Sequence, residues 1–552
     1  MRRAVLLATV AAAAAAVTGG AAHAAAAQLP PPVPHGTLRI AGTPRDGVTV
    51  VAAGLRWRPG ALPAGDRLLS FAVATTWEAC VTPFGPCVPA ADTTATPFAA
   101  RRYVVGHADV GRYLRVTETA AETVETDPAT FTFHVLRTSR SFTSARPVAA
   151  YPAGRAPATA FVNGLPERRT GSNSERFQVY APHFNPEDGV PSVEYRLDRR
   201  PWAAVPVGGV FGTGLLGRGI HRVRVRVSNR AGTTARSFRW RVTALPAPAS
   251  CGGCWRPPHL DATGHPMRWD WQIGRVSPLE RTGRRAVDIY DVDGFLTTAA
   301  ELRALHTSWQ AATLPHPRAY CYIDLAWEDY RPDATPGPGR FPGRTLGNVY
   351  FGFPQERWVD VRQLDRLKPM IDRRIAMCAH KGFDAVELDD IDSYDPPSTT
   401  GFQLTPGDWQ NFLAYTDNAV HRAGMAVLWK NSPLLAWWGR RYADGAVVEE
   451  CYAFGPCFSA GAAGTSAYGI TCTSLNGLRP CGWDAFTSRG KWVGEDEYRE
   501  DGLVCAPGRS CTGRHAFSAF CRAVYSPPNG FSALRMTDEL DGSVFQPCPR
   551  GV

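Results

Sequence analysis

Two apolar runs in the second half of this 552-residue chain break off into carboxylates. The first enters through Gly382-Phe383-Asp384-Ala385 and continues as Val386-Glu387-Leu388-Asp389-Asp390-Ile391-Asp392. The second is Ala446-Val447-Val448-Glu449-Glu450-Cys451. Each has the length of a buried strand. Neither can bury its acids alone, because an unpaired carboxylate is costly to take out of water. The pattern calls for a fold whose strands are covered along their length and open onto a cleft at one end. Two carboxylates facing one another across a cleft are the minimum equipment for glycoside hydrolysis. Solvated turns or a Ca2+ site are the plainer readings.

A parallel barrel is such a fold, and residues 251–552 alternate strand-like and helix-like patterns as an α/β barrel would. The strand candidates are Trp269–Ile273, Val287–Val292, Ala319–Leu325, Trp358–Val361, Phe383–Asp389, Ala426–Lys430, Ala446–Glu450 and Trp492–Tyr498. Between them, Leu364, Leu367, Ile371, Ile375 and Cys378 recur at helical spacing. The Arg-rich part of that segment, Ile371–His380, reads as an amphipathic surface and not as a nucleic-acid binder. Thr405-Pro406-Gly407-Asp408 reads as an N-cap, a proline at the first helical position and a capping-box acid, with Trp409, Leu413 and Val420 on the buried face. Barrel enzymes place their chemistry at the C-terminal ends of strands. Asp291 and Asp293 fall at the end of the second strand, and Glu387, Asp389, Asp390 and Asp392 at the fifth. Lys430 and Asn431 end the sixth, Glu449 and Glu450 the seventh, Glu497 and Tyr498 the eighth. Folding gains nothing from crowding like charges, so their repetition marks a site.

The front half is different in kind. Residues 251–552 carry 31 Lys and Arg against 35 Asp and Glu, so the chain's formal charge of +10 belongs to residues 1–250. Met1-Arg2-Arg3, a long Ala/Val run and Ala22-His23-Ala24 read as a secretory signal over 1–24, cleaved near Ala25. No later run is long enough to span a membrane, so a secreted, extracellular protein is expected. Residues 35–137 alternate as short strands do, with Trp77 and Cys80 ahead of Asp109-Val110-Gly111-Arg112-Tyr113-Leu114-Arg115-Val116. This resembles bacterial immunoglobulin-like repeats, and residues 141–243 resemble a second such sandwich. In the latter, alternation sets Arg222, Arg224 and Arg226 on one face. That stripe is a solvated face, or an anion-binding surface for a cell-wall or other anionic polymer. Leu245-Pro246-Ala247-Pro248-Ala249-Ser250 reads as a linker over 244–250.

Fourteen cysteines suit an oxidising compartment. Sequence neighbours suggest Cys80/Cys87, Cys451/Cys457, Cys472/Cys481, Cys505/Cys511 and Cys521/Cys548 as pairs, while Cys321 and Cys378 are bonded or merely buried. Cys251-Gly252-Gly253-Cys254 has half the form of a zinc knuckle or a redox motif, but no second ligand pair follows it. No metal or cofactor is expected.

Residues 266–548 resemble glycoside hydrolase family 114, the endo-α-1,4-polygalactosaminidases. The resemblance rests on Trp271-Gln272-Ile273, the run Val287–Phe295, Cys321-Tyr322-Ile323, the run Trp327–Asp333 and the run Glu356–Asp360. It continues through Lys381-Gly382-Phe383-Asp384, the run Glu387–Tyr394, Lys430-Asn431, Glu449-Glu450-Cys451 and Gly530-Phe531-Ser532. The chain departs from the family at Leu388, Asp390 and Val448, where Pro, Asn and Asn are usual. The resemblance implies a TIM-like (β/α)8 barrel that cuts internal bonds of α-1,4-linked galactosamine polymers. It carries Asp389 and Glu449 over as the catalytic pair, with Glu449 as general acid/base and Asp389 as nucleophile, roles that are open to exchange. A cleft rich in acids suits a cationic amino-sugar polysaccharide. Trp271, Tyr290, Asp291, Asp293, Trp327, Glu387, Asp390, Asp392, Lys430, Asn431, Glu450, Glu497 and Tyr498 are the expected substrate-binding residues. A silent carbohydrate-binding protein and a metal-dependent deacetylase are the other classes. The second finds only scattered histidines, His306, His316, His380 and His421.

Overall fold

Strand alternation in the front half becomes two pairs of packed sheets. The computed structural model describes residues 29–550 apart from 64–66, 91–100, 128–131, 163, 274–285, 335–339, 351–352, 392–399, 454–456, 460–480, 500–503, 507–508, 511–513 and 526–528. The leader-like residues 1–24 and Asp392 therefore lie outside the described residues, as does one member each of the Cys472/Cys481 and Cys505/Cys511 pairings. In the first unit, Val33–Ala41, Thr49–Arg58 and Arg102–Val104 form one sheet, and Arg67–Cys80, Cys87–Pro89, Tyr113–Asp127 and Thr132–Thr143 form the other. Leu38, Val50, Leu55, Leu114 and Val116 fill the core, and Trp77 stacks on Tyr103 at 5.4 Å. The Cys80–Cys87 disulfide closes the turn between two paired strands.

The second unit packs a three-stranded sheet on a five-stranded one around Phe177, Phe211, Val223, Val225 and Trp240. Valines of Gly219–Asn229 point inward and its arginines outward, as period-two alternation requires. Arg226 donates to Glu194 at 2.7 Å and lies over the Trp202 ring at 4.4 Å, so the stripe is neutralised in part.

Residues beyond 250 build a curled, barrel-like sheet of eight parallel strands in chain order: β1 (Trp269–Gln272), β2 (Ile289–Asp293), β3 (Arg318–Asp324), β4 (Ala385–Asp389), β5 (Ala426–Lys430), β6 (Gly445–Glu449), β7 (Trp492–Tyr498) and β8 (Ser532–Met536). β9 (Gln546–Pro547) adds antiparallel to β8. Among the described residues no ladder joins β8 to β1. The seam is held by side chains: the Trp269 indole donates to the Ser532 carbonyl, and its ring meets Trp492 edge-on at 5.4 Å.

Two of the strand assignments change. Trp358–Val361, expected as a barrel strand, ends a strand Phe353–Val359 that pairs antiparallel with Trp327–Glu328 and Leu346–Tyr350 in a small side sheet. The eighth barrel strand is Ser532–Met536 instead. A serine and an arginine interrupt that run, so it reads weakly by hydrophobicity. Its place in the barrel comes from pairing with β7.

Each barrel strand divides its side chains between two cores. Outward residues such as Tyr290, Val292, Cys321, Val386, Leu388 and Val448 meet the helices, while Trp269, Trp271, Tyr320, Ala385, Leu428 and Trp492 fill the inside. The helices among the described residues are α1 (Ala299–Ser308), α2 (Leu364–Lys381), α3 (Pro406–Arg422), α4 (Ala436–Gly439), α5 (Asp484–Thr487) and α6 (Arg514–Val524). The expected capping box on α3 is present, with Thr405 and Asp408 satisfying each other's backbone N–H groups. α2 ends at Gly382, whose φ of +100° gives the left-handed cap that turns the chain into β4. α2 is amphipathic over its Arg-rich part, with Arg373 outward and Arg374 on the buried face, where it pairs with Asp333 at 2.8 Å. Disulfides join Cys321 of β3 to Cys378 of α2, Cys451 to Cys457, and Cys521 to Cys548. Cys251 and Cys254 also form a disulfide, which excludes the zinc knuckle.

The Pro/Ala segment is fastened to the barrel. Tyr442 donates to the Pro246 carbonyl at 2.7 Å, Asn418 to Ala247 at 3.0 Å, and His421 lies 3.0 Å from the Ala249 carbonyl. The second sandwich sits on the start of α3, where Gly171 N–H donates to Asn411 at 2.8 Å and Thr405 donates to the Ser174 carbonyl at 2.9 Å.

Candidate active site

The C-terminal ends of β4, β5 and β6 stand side by side, because these strands are consecutive in the ladder. Each ends on a polar residue, Asp389, Lys430 and Glu449, and their side chains meet. The Lys430 ammonium, buried with 3% of its surface exposed, lies 3.4 Å from Asp389 Oδ2 and 3.1 Å from Glu449 Oε2. It also sits over the Trp271 ring, 4.3 Å from its centre, so Trp271 floors the site and does not wall it. Asp389 Oδ2 and Glu449 Oε2 can be no farther apart than those two distances laid end to end.

Neighbouring strands supply further donors. Tyr322 of β3 donates to Asp389 Oδ2 at 2.9 Å, and the Asp390 N–H donates to Asp389 Oδ1 at 2.7 Å. Tyr498 of β7 donates to Glu449 Oε1. Asn431 both donates to Glu449 Oε2 at 3.3 Å and accepts from the Glu449 N–H at 3.0 Å. Burial would raise the Glu449 pKa, but Lys430, Tyr498 and Asn431 outweigh it and hold the group below the ordinary carboxylate value. Burial likewise works to discharge Lys430, and Asp389, Glu449 and Glu387 hold its proton well above the usual lysine value.

A second layer lies beneath. Asp291 of β2, Glu387 of β4 and Asp496 of β7 point into the barrel and have no exposed surface. Burial, aided by neighbouring acids, pushes Asp291 up to about 7 and Glu387 and Asp496 well above their ordinary values. On the far side of Asp389, Asp324, Glu328 and Glu356 bring carboxylate oxygens within 4.8 Å of one another. Burial and Glu328 push Glu356 up to about 7.

The structure thus brings together Asp389, Lys430, Asn431, Glu449, Tyr498 and Trp271, with Asp291 and Glu387 under them. Asp390 and Glu450 directly follow the pair in left-handed backbone, with φ of +57° and +49°. Four expected substrate contacts are placed elsewhere. Tyr290 faces outward and packs edge-on against Trp309 at 5.1 Å. Glu497 also faces outward and accepts the Tyr452 and Ala453 N–H groups, at 2.9 and 3.1 Å, so it anchors the loop after β6. Asp293 is taken up by Arg331 at 2.7 Å and by the N–H groups of Phe295 and Leu296. Trp327 is half-buried in the side sheet and donates to the Ala334 carbonyl at 3.0 Å. Each was chosen for residue type near a strand end; strand parity was the missed signal for Tyr290 and Glu497, whereas Asp293 has inward parity but is taken by Arg331, and Trp327 belongs to the side sheet. The same parity would have found Tyr322 and Asp496, which share the inward face with Asp324 and Tyr498. Val448 lies in the outer core, so the absent Asn there is not a loss from the cleft.

The model of glycoside-hydrolase family GH114 matches residues 247–552. No curated protein matches the chain. Among solved structures, Ega3 of Aspergillus fumigatus in complex with galactosamine aligns at 19% identity over 55% of this chain and 100% of its own, with a TM-score of 0.41. The glycoside hydrolase domain of PelA from Pseudomonas aeruginosa aligns at 15% identity over 50% of this chain and 96% of its own, with a TM-score of 0.33. The family match covers more than half of the chain and the whole barrel with its acid-ended strands: the chain belongs to glycoside-hydrolase family 114 and is a glycoside hydrolase.

Proposed function

We propose that this protein is a secreted hydrolase that cuts internal bonds of an α-1,4-linked galactosamine-containing polysaccharide, with Asp389 and Glu449 as the reacting pair. The observation that carries the reading is the seating of Lys430 between these two carboxylates at 3.4 and 3.1 Å. That arrangement caps the distance between the two lysine-bound oxygens near the bottom of the range of about 6.5–9.5 Å at which inverting glycosidases hold their carboxyl groups to admit a water. It supports a retaining reaction through a glycosyl-enzyme intermediate. Asp389, with donors from Tyr322, Lys430 and its neighbour's N–H, suits the attacking carboxylate. Glu449 is the acid/base. To give a proton it must first part from Lys430, and a sugar seated between the carboxylates would separate them.

The acid-rich mouth supports a cationic substrate. Asp324, Glu328 and the half-buried Glu356 extend the acidic cluster beyond Asp389, with Arg331 and Arg374 engaged at Glu328. The two front sandwiches are read as immunoglobulin-like units, and the exposed Arg222 face as the place for an anionic wall polymer. Export is supported by the leader-like start and by the disulfides. Among the described residues no helix is long and apolar enough to cross a membrane.

The test is product analysis with Asp389→Asn and Glu449→Gln on soluble α-1,4-galactosamine oligomers. Each amide should lower turnover by about 10^2–10^4-fold or more with the fold intact. Proton NMR of early products should find the starting anomeric configuration. Full activity in both variants would end the assignment of the pair, and inverted products would end the retaining reading.

A further inference from the structure

Asp291 and Glu387 were expected to touch substrate, yet both are sealed inside the barrel with no exposed surface. Neither carboxylate is reached by a hydrogen-bond donor among the described residues, and both project inward from β2 and β4, on either side of the Tyr320–Tyr322 stretch of β3, where each acts on the other's titration. Two ionised acids cannot rest against one another in such a place; one proton between them turns the contact into a hydrogen bond. The groups around them fix what that proton does. Lys430 of β5 and Asp389 of β4 face the pair from above, and the Tyr320 ring of β3 lies beside Asp291. Asp496 of β7 and Glu449 of β6 close the ring on the far side of Lys430.

We propose that Asp291 and Glu387 share a single proton beneath Lys430, and that this proton, with no contact to substrate, is their contribution to the reaction. With the proton in place the pair carries one negative charge, and the Lys430 ammonium stays between Asp389 and Glu449. When the proton leaves to solvent, a second charge below Lys430 draws the ammonium down and out from between the two catalytic groups. Turnover then falls on the alkaline side. Asp291 and Glu387 are positioning residues that act through Lys430. The inference rests on the proposed role of Asp389 and Glu449.

An amide copies the protonated member of the pair at every pH. Asp291→Asn and Glu387→Gln, each in the full chain, should therefore keep turnover within roughly tenfold at the acidic end. Each should move the alkaline limb of the rate profile upward by about one pH unit or more, with KM changed by less than about twofold. A limb that stays in place, or a KM that rises more than about tenfold with turnover unchanged, would overturn the proposal. Should one amide variant fail to fold, infrared difference spectra of the wild type against the other, in which the bands of Asp496 and Glu356 cancel, still decide it between about pH 5 and 9. A protonated-carboxyl band must disappear with the midpoint of the alkaline limb, and its absence at the acidic end refutes the shared proton. If the wild type cleaves no galactosamine oligomer at any pH, the functional reading fails, while the infrared band still reports on the proton.

Discussion

Replacing Lys430 with Met removes the ammonium between Asp389 and Glu449 and keeps most of the side-chain volume over Trp271. Its two contacts, at 3.4 and 3.1 Å, are each worth about 5 kcal/mol by Coulomb's law at an effective dielectric of about 20, before desolvation is set against them. Removing one partner from a buried ion pair costs about 3–5 kcal/mol, because the remaining charges stay buried. The carboxylates recover part of this by taking up protons, so the pKa of Glu449, now held low chiefly by Lys430, should rise. The pH dependence follows from linkage. In the native protein the lowered Glu449 stabilises the fold above its unfolded-state pKa, and that contribution is lost as pH falls through the folded value. In the variant, carboxylates raised above their unfolded values cost stability at high pH, and the cost vanishes below about pH 4. The difference in Tm between wild type and Lys430→Met should therefore be wide at about pH 8, narrower at about pH 4, and closed only below the lowered folded value of Glu449. Thermal unfolding followed across this range reads it directly, with oligomer turnover measured on the same samples. A difference of equal width at both ends would mean that Lys430 only fills space, and the electrostatic reasoning would fail.

The Cys451–Cys457 disulfide follows Glu449-Glu450 directly and closes the loop that Glu497 anchors. Changing both cysteines to Ser should lower kcat by roughly tenfold or more with a small change in KM, since a loosened loop misplaces the acid above it; unchanged kcat would show that β6 alone positions Glu449. A chain starting at Ser250 should fold and cleave soluble oligomers at near the full rate while binding insoluble polymer less well. A chain starting at Leu245 should have the higher Tm of the two, because it keeps the Pro246, Ala247 and Ala249 carbonyls on Tyr442, Asn418 and His421. Equal Tm values would mean that the segment contributes nothing, and failure of both to fold would overturn the separate barrel.

What the sequence makes legible here follows from period and punctuation. Buried parallel strands such as Val386–Asp389 and Val447–Glu449 are apolar runs that end abruptly in acids, and the functional end of each run is visible without coordinates. The capping box at Thr405 and Asp408 is equally local, because both partners lie within one helical turn. Two things were not local. Trp358–Val361 has the composition of a barrel strand, but the strand it ends pairs antiparallel with Trp327–Glu328 and Leu346–Tyr350, and composition does not choose a partner. The face of each strand end was also illegible at first, since Glu497 and Tyr498 differ by one residue and by opposite directions. The register of Glu449 with Asp496 settles which is which, and only pairing provides it.

The backbone at the three strand ends explains how the pair is held. Asp390, Asn431 and Glu450 directly follow Asp389, Lys430 and Glu449, with φ of +57°, +51° and +49°. A side chain other than glycine in this region costs about 1–2 kcal/mol, so three in adjacent positions are not an accident of loop closure. A left-handed residue ends an extended strand in a single step. Asp389, Lys430 and Glu449 therefore remain on the parallel ladder, in register with Asp324, Val447 and Asp496, and are not carried on the loops that follow. The same turn brings the Asn431 amide back over the neighbouring strand, where it grips both the N–H and the carboxylate of Glu449. The strained positions hold Asp389, Lys430 and Glu449 at the strand ends, so the proposed pair is positioned by the ladder and not by the segments that follow it.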